Sequence, residues 1–217
     1  MLGGGLFVSF LELLANLLIH VENKQPLGAG LAFWPQVIGA VVAALLLGTF
    51  IRTRFLALFA IAGMMLLVAA GALLLGYRAS SGPAPTLAIA GVLGLGAGAT
   101  VSPALFLAGL PLQSSVLGRI FALIELVRSV ADFIIAPVMV KIARLASAGG
   151  GHSIGLGGFH EAVFITMMIA VAGTIISIGL LLTGGTLLPR PNLEAWLGEN
   201  RPAIESPPLL SLLRRRG

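Results

Sequence analysis

Three ionisable residues, Glu125, Arg128 and Asp132, stand inside GRIFALIELVRSVADFIIAP, residues 118–137, a stretch otherwise almost as apolar as a membrane span. Spacings of three and four residues put all three on one face of a helix. The rise from Glu125 to Asp132 is only about 10 Å, so the charges can form one local cluster. A bare charge at mid-membrane costs at least ~2.5 kcal/mol on insertion scales, so such residues normally face a protein interior or a water-filled cavity. Two compatible readings follow. Arg128 neutralises the carboxylates and locks helix packing, or the cluster is a charge relay or gate beside a transport path.

A second constellation lies near the start. Glu12, Asn16 and His20 recur every four residues, drifting only ~40° per step around a helix, and form one polar stripe. Glu12 falls near the middle of its apolar run and His20 near the end. A carboxyl held out of water without a firm partner can exchange a proton near neutral pH, as a proton-coupled step requires. The plainer alternative is a neutral Glu12 satisfied by Asn16 and a neighbouring helix, with His20 at the membrane interface. Further on, GVLGLGAGATVSPALF places Gly94 and Gly98 at a spacing that lets helices approach closely, and Pro103 frees a backbone carbonyl and bends the helix. That serves close packing or a helix that rocks during transport. No phosphate-cradling loop or nucleophile–base pair stands out, and His152, His160 and Glu161, in one loop, make only a weak metal set. No catalytic residue, metal or cofactor is therefore expected, and the chain is not read as an enzyme.

The elements that carry these residues follow from composition. Of 217 residues 58% are hydrophobic and 10% charged, and the mean hydropathy is +1.05, a balance that would leave a soluble domain with a largely apolar surface. The expected class is an all-α integral membrane protein, in contact with lipid. The net charge of +5 then bears on topology rather than on nucleic acid, and the absence of cysteine excludes disulfides and thiolate chemistry. The first residues lack a basic region and a cleavage site and read as the start of a span, not a signal peptide. Six transmembrane helices are expected, at about 2–20, 31–50, 55–76, 86–110, 118–140 and 162–183. They make one membrane domain, 1–185, followed by a mostly disordered tail, 186–217, rich in charge and proline. Six spans put both termini on one side. With that side cytoplasmic, it holds Arg52, Arg54, Arg119, Arg190, Arg201 and Arg214 to Arg216, against Lys24, Arg78, Lys141 and Arg144 outside, as the positive-inside rule requires. Spans three and six have no ionisable residue in their central parts and can face lipid, whereas span one has Glu12 and span five the triad. Read as two sets of three, the third helix of each set is peripheral, matching the three-plus-three inverted repeat of many secondary transporters.

Three segments carry a resemblance to a known family. They are PLGAGLAFWPQVIGAVVAALLLGTFIRTRF, the glycine-rich GVLGLGAGATVSPALF and SSVLGRIFALIELVRSVADFIIAP. Together they resemble the C-terminal half of a major facilitator superfamily transporter, particularly the fourteen-helix drug:proton antiporter branch, over roughly residues 6–185. The resemblance implies that spans one and four line a central cavity, two and five flank it, and three and six lie outside. It implies inner loops at Arg52, Arg54 and Arg119 that take part in gating, although IRTR lacks the acidic residue usual in the family's inner-loop motif. It also implies a missing first half. The expected function is secondary active transport by alternating access, as proton-coupled efflux of a small molecule across the plasma (inner) membrane, with Glu12, Asn16, Glu125, Arg128 and Asp132 as coupling candidates. The expected partner is an N-terminal half or a second copy. The alternatives are a non-transporting membrane remnant or assembly partner whose buried charges only pair helices and, more remotely, an intramembrane enzyme.

Overall fold

The computed structural model describes residues 2–53, 55–78, 82–147 and 154–183, together with Pro191, Trp196, Pro202 and Ala203. Seven α-helices run through them: α1 (Leu2–His20), α2 (Pro26–Leu31), α3 (Trp34–Phe50), α4 (Leu56–Leu75), α5 (Pro83–Gly109), α6 (Leu117–Ala146) and α7 (Leu156–Thr183). A 3-10 turn, Ser114–Val116, leads into α6, and there is no strand among the described residues. Prolines open α2, α3 and α5 within their first two positions, where a missing N–H costs nothing. Buried hydroxyls do not compete with the helices. Those of Ser9, Thr100, Thr166 and Thr174 each donate to the carbonyl four residues back, in Gly5, Gly96, Ala162 and Ala170. That is how a polar side chain is satisfied where no water is at hand.

α1 is the central helix. Phe10, Leu13, Leu14, Leu17 and Leu18 are wholly buried and pack with Leu67 and Leu74 of α4, Ile89 and Leu93 of α5, and Phe159 and Val163 of α7. α3 is peripheral. It rests on α5, barely touches α4, and exposes Val37, Ile38, Val41, Val42, Leu45 and Leu46. Such a row is stable only against hydrocarbon.

Five segments are long and apolar enough to cross a membrane: α1, α2 with α3, α4, α5 and α7. They mark an integral membrane helical bundle. The second expected span starts earlier than the sequence suggests, at Pro26, and is broken at Ala32 and Phe33, because Pro35 cannot continue the hydrogen-bond ladder of α2. α6, at 30 residues, has the length of a sixth span, but it carries Arg119, Glu125, Arg128, Asp132, Lys141 and Arg144. Its buried residues, Ala136, Met139, Val140 and Ala143, all lie in its second half. Most of the tail lies outside the described residues, as do Arg54 and His152.

Candidate functional site

α6 places the triad as its spacing requires. The Arg128 guanidinium donates to Glu125 Oε1, and its Nε lies 3.9 Å from Asp132 Oδ2. The pairing is lopsided. Glu125 is nearly half exposed, while Asp132 is 17% exposed and meets Arg128 only at the edge of contact distance. Arg128 Nε and Asp132 Oδ1 are both buried, with no hydrogen-bond partner among the described residues. One donor and one acceptor are thus held out of bulk water and unused, an arrangement that is costly unless something occupies it.

What lies against them is the glycine run at the start of α1. A Cβ on Gly4 would come within 3.0 Å of Arg128 Cδ and 3.6 Å of Asp132 Oδ1, and one on Gly5 within 3.4 Å of Asp132 Oδ1 and 3.0 Å of Ile135 Cδ1. Gly3 faces the other way, where a Cβ would meet Thr100 Cγ2 of α5 at 2.4 Å. Three successive glycines weaken a helix by about 1 kcal/mol each relative to alanine. Here they let α5 and the stem of Arg128 reach the α1 backbone. As the opening of a span, Gly3, Gly4 and Gly5 carry no such signal; only their helix cost in the sequence hints at a close neighbour.

Along the same face lie three neighbouring hollows. The first, about 200 Å³, lies between Gly3, Gly4, Thr100, Val101, Leu105 and Arg128. The second, about 240 Å³, shares Gly4 and Arg128 with it and adds Phe7, Gly98, Ser102 and Asp132. The third, about 450 Å³, shares Asp132 and adds Glu12, Ser129, Phe133 and Pro137. The result is a groove along α1, walled by α6 throughout and by α5 over the first two hollows, lined in succession by Arg128, Asp132 and Glu12. Asn16 stands one turn beyond Glu12 and steadies it: its Nδ2 donates to Glu12 Oε1 at 3.2 Å and to the Glu12 carbonyl at 2.9 Å. His20 is exposed in the last turn of α1. Spacing therefore finds the triad and the stripe. The fold adds that one member of the stripe, Glu12, and two of the triad, Arg128 and Asp132, line the same groove.

The other singled-out residues sit elsewhere. Gly94 lies against α3 so closely that a Cβ would fall 2.0 Å from Gln36 O, and one on Gly98 would lie 2.7 Å from Ala43 Cβ. Pro103 is buried within α5, which continues past it. Arg52, after α3, and Arg119, in the first turn of α6, are exposed, away from the triad. At the end of the bundle where α1 stops, a second polar cluster escapes the reading of spans. Buried Tyr77 donates its hydroxyl to Glu22 Oε1 and lies 3.1 Å from Thr86 Oγ1, and Lys24 Nζ pairs with Glu22 Oε2 at 2.8 Å. His160 Nε2 sits 3.2 Å from the Tyr77 carbonyl. Burial, and then the Glu22 carboxylate, push the Tyr77 phenol above its ordinary range. Its members come from four separated segments, so no local pattern announces it.

Comparison with known proteins adds no relative: no protein-family model, curated protein or solved structure matches the chain.

Proposed function

We propose that this chain is one half of a facilitator-type secondary transporter, working by alternating access and coupling proton movement to efflux of a small molecule. The observation that carries the reading is the groove: Arg128, Asp132 and Glu12 line three adjoining hollows along α1, between it and α6, with α5 closing the first two. Ionisable residues are tolerated within a membrane bundle mainly where they face an interior or a water-filled path. Glu12 would carry the proton, Asn16 would orient it, and Arg128 would exchange partners between Glu125, Asp132 and the substrate.

In this reading α6 is the fifth of six spans, with Arg128 and Asp132 turned to the groove, and the six spans form two sets of three. Helix neighbours support the repeat. Exchanging α1 with α5, α3 with α6 and α4 with α7 turns the α1–α6 contact into α5–α3 and the α1–α7 contact into α5–α4, while α4–α7 maps onto itself; the α6–α7 contact is the exception, its counterpart α3–α4 being slight. The groove is open on one side, so a missing N-terminal half or a second copy would close it. The arginine-rich tail favours both termini in the cytoplasm by the positive-inside rule, and the membrane of this reading is the plasma (inner) membrane. Gly94 and Gly98 would hold α5 against α3 so that the two helices move as one unit, Pro103 would bend α5, and Arg52, Arg54 and Arg119 would stand at the inner loops.

The test is proton flux in proteoliposomes holding the chain alone, and with a candidate N-terminal half. Proton-coupled uptake or efflux that Glu12→Gln abolishes is the expected result. A competing reading, an assembly partner whose charges only pair helices, draws on the Arg128–Glu125 bond. It requires no flux in either preparation, with Glu12→Gln silent.

A further inference from the structure

At the end of the bundle opposite Tyr77, α5 finishes at Gly109 with its last carbonyls facing outward. Two of the carbonyls just beyond are taken by the tail. The indole Nε1 of Trp196 donates to Leu112 O at 2.8 Å, and the Ala203 N–H donates to Leu110 O at 2.8 Å. Both residues are inside an apolar hollow. Trp196 is 5% and Ala203 6% exposed, packed with Leu47 of α3, Leu56 of α4 and Leu110, and flanked by Phe59, Phe106 and Leu117. A wholly exposed tail would gain nothing from a tryptophan at this point. Here the ring has an apolar seat and its N–H has a partner, the two requirements of a buried indole.

We infer that this hollow is a docking site for the chain's own tail, and that the docked segment is a strap on the connection between α5 and α6. The reason it bears on α6 is the uneven burial of that helix. Every buried residue of α6 lies at or beyond Ala136, and Pro137, which cannot hydrogen-bond back to Phe133, marks the join. Before that join the helix exposes Leu123, Leu126, Val127, Val130 and Phe133, and α5 scarcely touches it. Among the described residues, the half bearing Glu125, Arg128 and Asp132 is held at Gly4 and Gly5 of α1 and near its start, where Phe121 lies against Gly109 at the end of α5 and Leu117 rests on the tail-filled hollow. With the tail docked, Leu110 and Leu112 are fixed and so is the approach to α6. With it released, the first half of α6 is free to pivot about Pro137. Such a strap works whether or not the groove conducts anything, so it does not depend on the transport reading.

The chain has no cysteine, so spin labels can be placed at will. One labelled pair joins Leu45→Cys on α3 to Leu123→Cys on the loose half of α6; the control pair joins Leu45→Cys to Leu145→Cys on its anchored half. All three positions are more than half exposed. In the full chain in lipid, Trp196→Ala is expected to broaden the 45–123 distance distribution and to leave 45–145 unchanged. Ala203→Pro removes the N–H to Leu110 while leaving Trp196 in place and should produce the same broadening to a smaller degree, which keeps the test open should Trp196→Ala fail to fold. An unchanged 45–123 distribution in the variant that folds, or equal broadening of both pairs, overturns the strap.

Discussion

Two seams hold the bundle together in contrasting ways. Where α3 meets α5 the backbones touch. Gly94 lies so close to Gln36 that a Cβ there would overlap its carbonyl oxygen, and one on Gly39 would stand 2.4 Å from Gly91 O. Nothing charged is present and there is no room to move. Where α1 meets α6, glycines are again in place, but the room they make is filled by the stem of Arg128 and the carboxylate of Asp132. Small residues thus do opposite work: one seam is closed by backbone, the other is padded with long polar side chains and leaves a groove. In a membrane, apolar burial does not drive helices together, so tight packing is what holds the first seam. The second trades packing for ionisable groups beside a cavity. Difference of this kind is expected between a hinge-side contact and a working one.

The same substitution in each seam exposes the contrast. Gly94→Ala should destabilise the chain by about 3 kcal/mol, because the obstacle is backbone, even though alanine is the better helix former. Loss of the monodisperse peak on heating in detergent would register it. Gly4→Ala should leave stability within about 1 kcal/mol, since the obstacle at 3.0 Å is a flexible side chain and the helix gains propensity. Its consequence should be a displaced Arg128, read as lost proton flux. Equal effects on stability would erase the distinction between the seams.

Arg128→Ala comes between these two. Breaking a fully buried pair costs ~3–5 kcal/mol, but Arg128 is about a quarter exposed and Glu125 nearly half, which brings the expectation to about 2 kcal/mol. Combining it with Glu125→Gln and Asp132→Asn should recover part of the loss. A midpoint unmoved by Arg128→Ala would mean that water already solvates the charges.

How much of this was legible beforehand depends on the range of the interaction. The limits of α1 and α4, and the shared faces of Glu12 with Asn16 and of Glu125, Arg128 and Asp132, follow from apolar run length and helical period, which are local. The reason for Gly3, Gly4 and Gly5 is a set of neighbours roughly a hundred residues or more away, Thr100, Arg128 and Asp132. Tyr77 needs Glu22, Thr86 and His160 together, and Trp196 reads as part of a polar tail until Leu47, Leu56 and Leu110 form a seat for it. α6 was legible as a helix and was read as a span, yet it is not among the five segments apolar enough to cross a membrane, because its charges weigh against insertion unless the fold gives them a groove.

The smallest effect belongs to the Tyr77 cluster, away from both seams. Its phenol titrates higher in the folded chain than in the unfolded one, so the folded state holds the proton longer. The contribution is complete below about pH 10, the ordinary phenol value, and is lost as pH rises through the folded value. Stability that is flat through neutrality and falls only in strong alkali is expected, and Tyr77→Phe should remove the alkaline component for about 1 kcal/mol at neutral pH.

The central claim, that the padded seam borders a water-filled path and the tight seam faces lipid, has a direct measurement in the cysteine-free chain. Single cysteines at Val8 and Val101, which line the groove, and at Leu45, on the outer face of α3, would be exposed in native membranes to a charged, membrane-impermeant thiol reagent. Labelling at Val8→Cys and Val101→Cys with protection at Leu45→Cys is the expected result. Groove cysteines as unreactive as the one at position 45 would contradict the account.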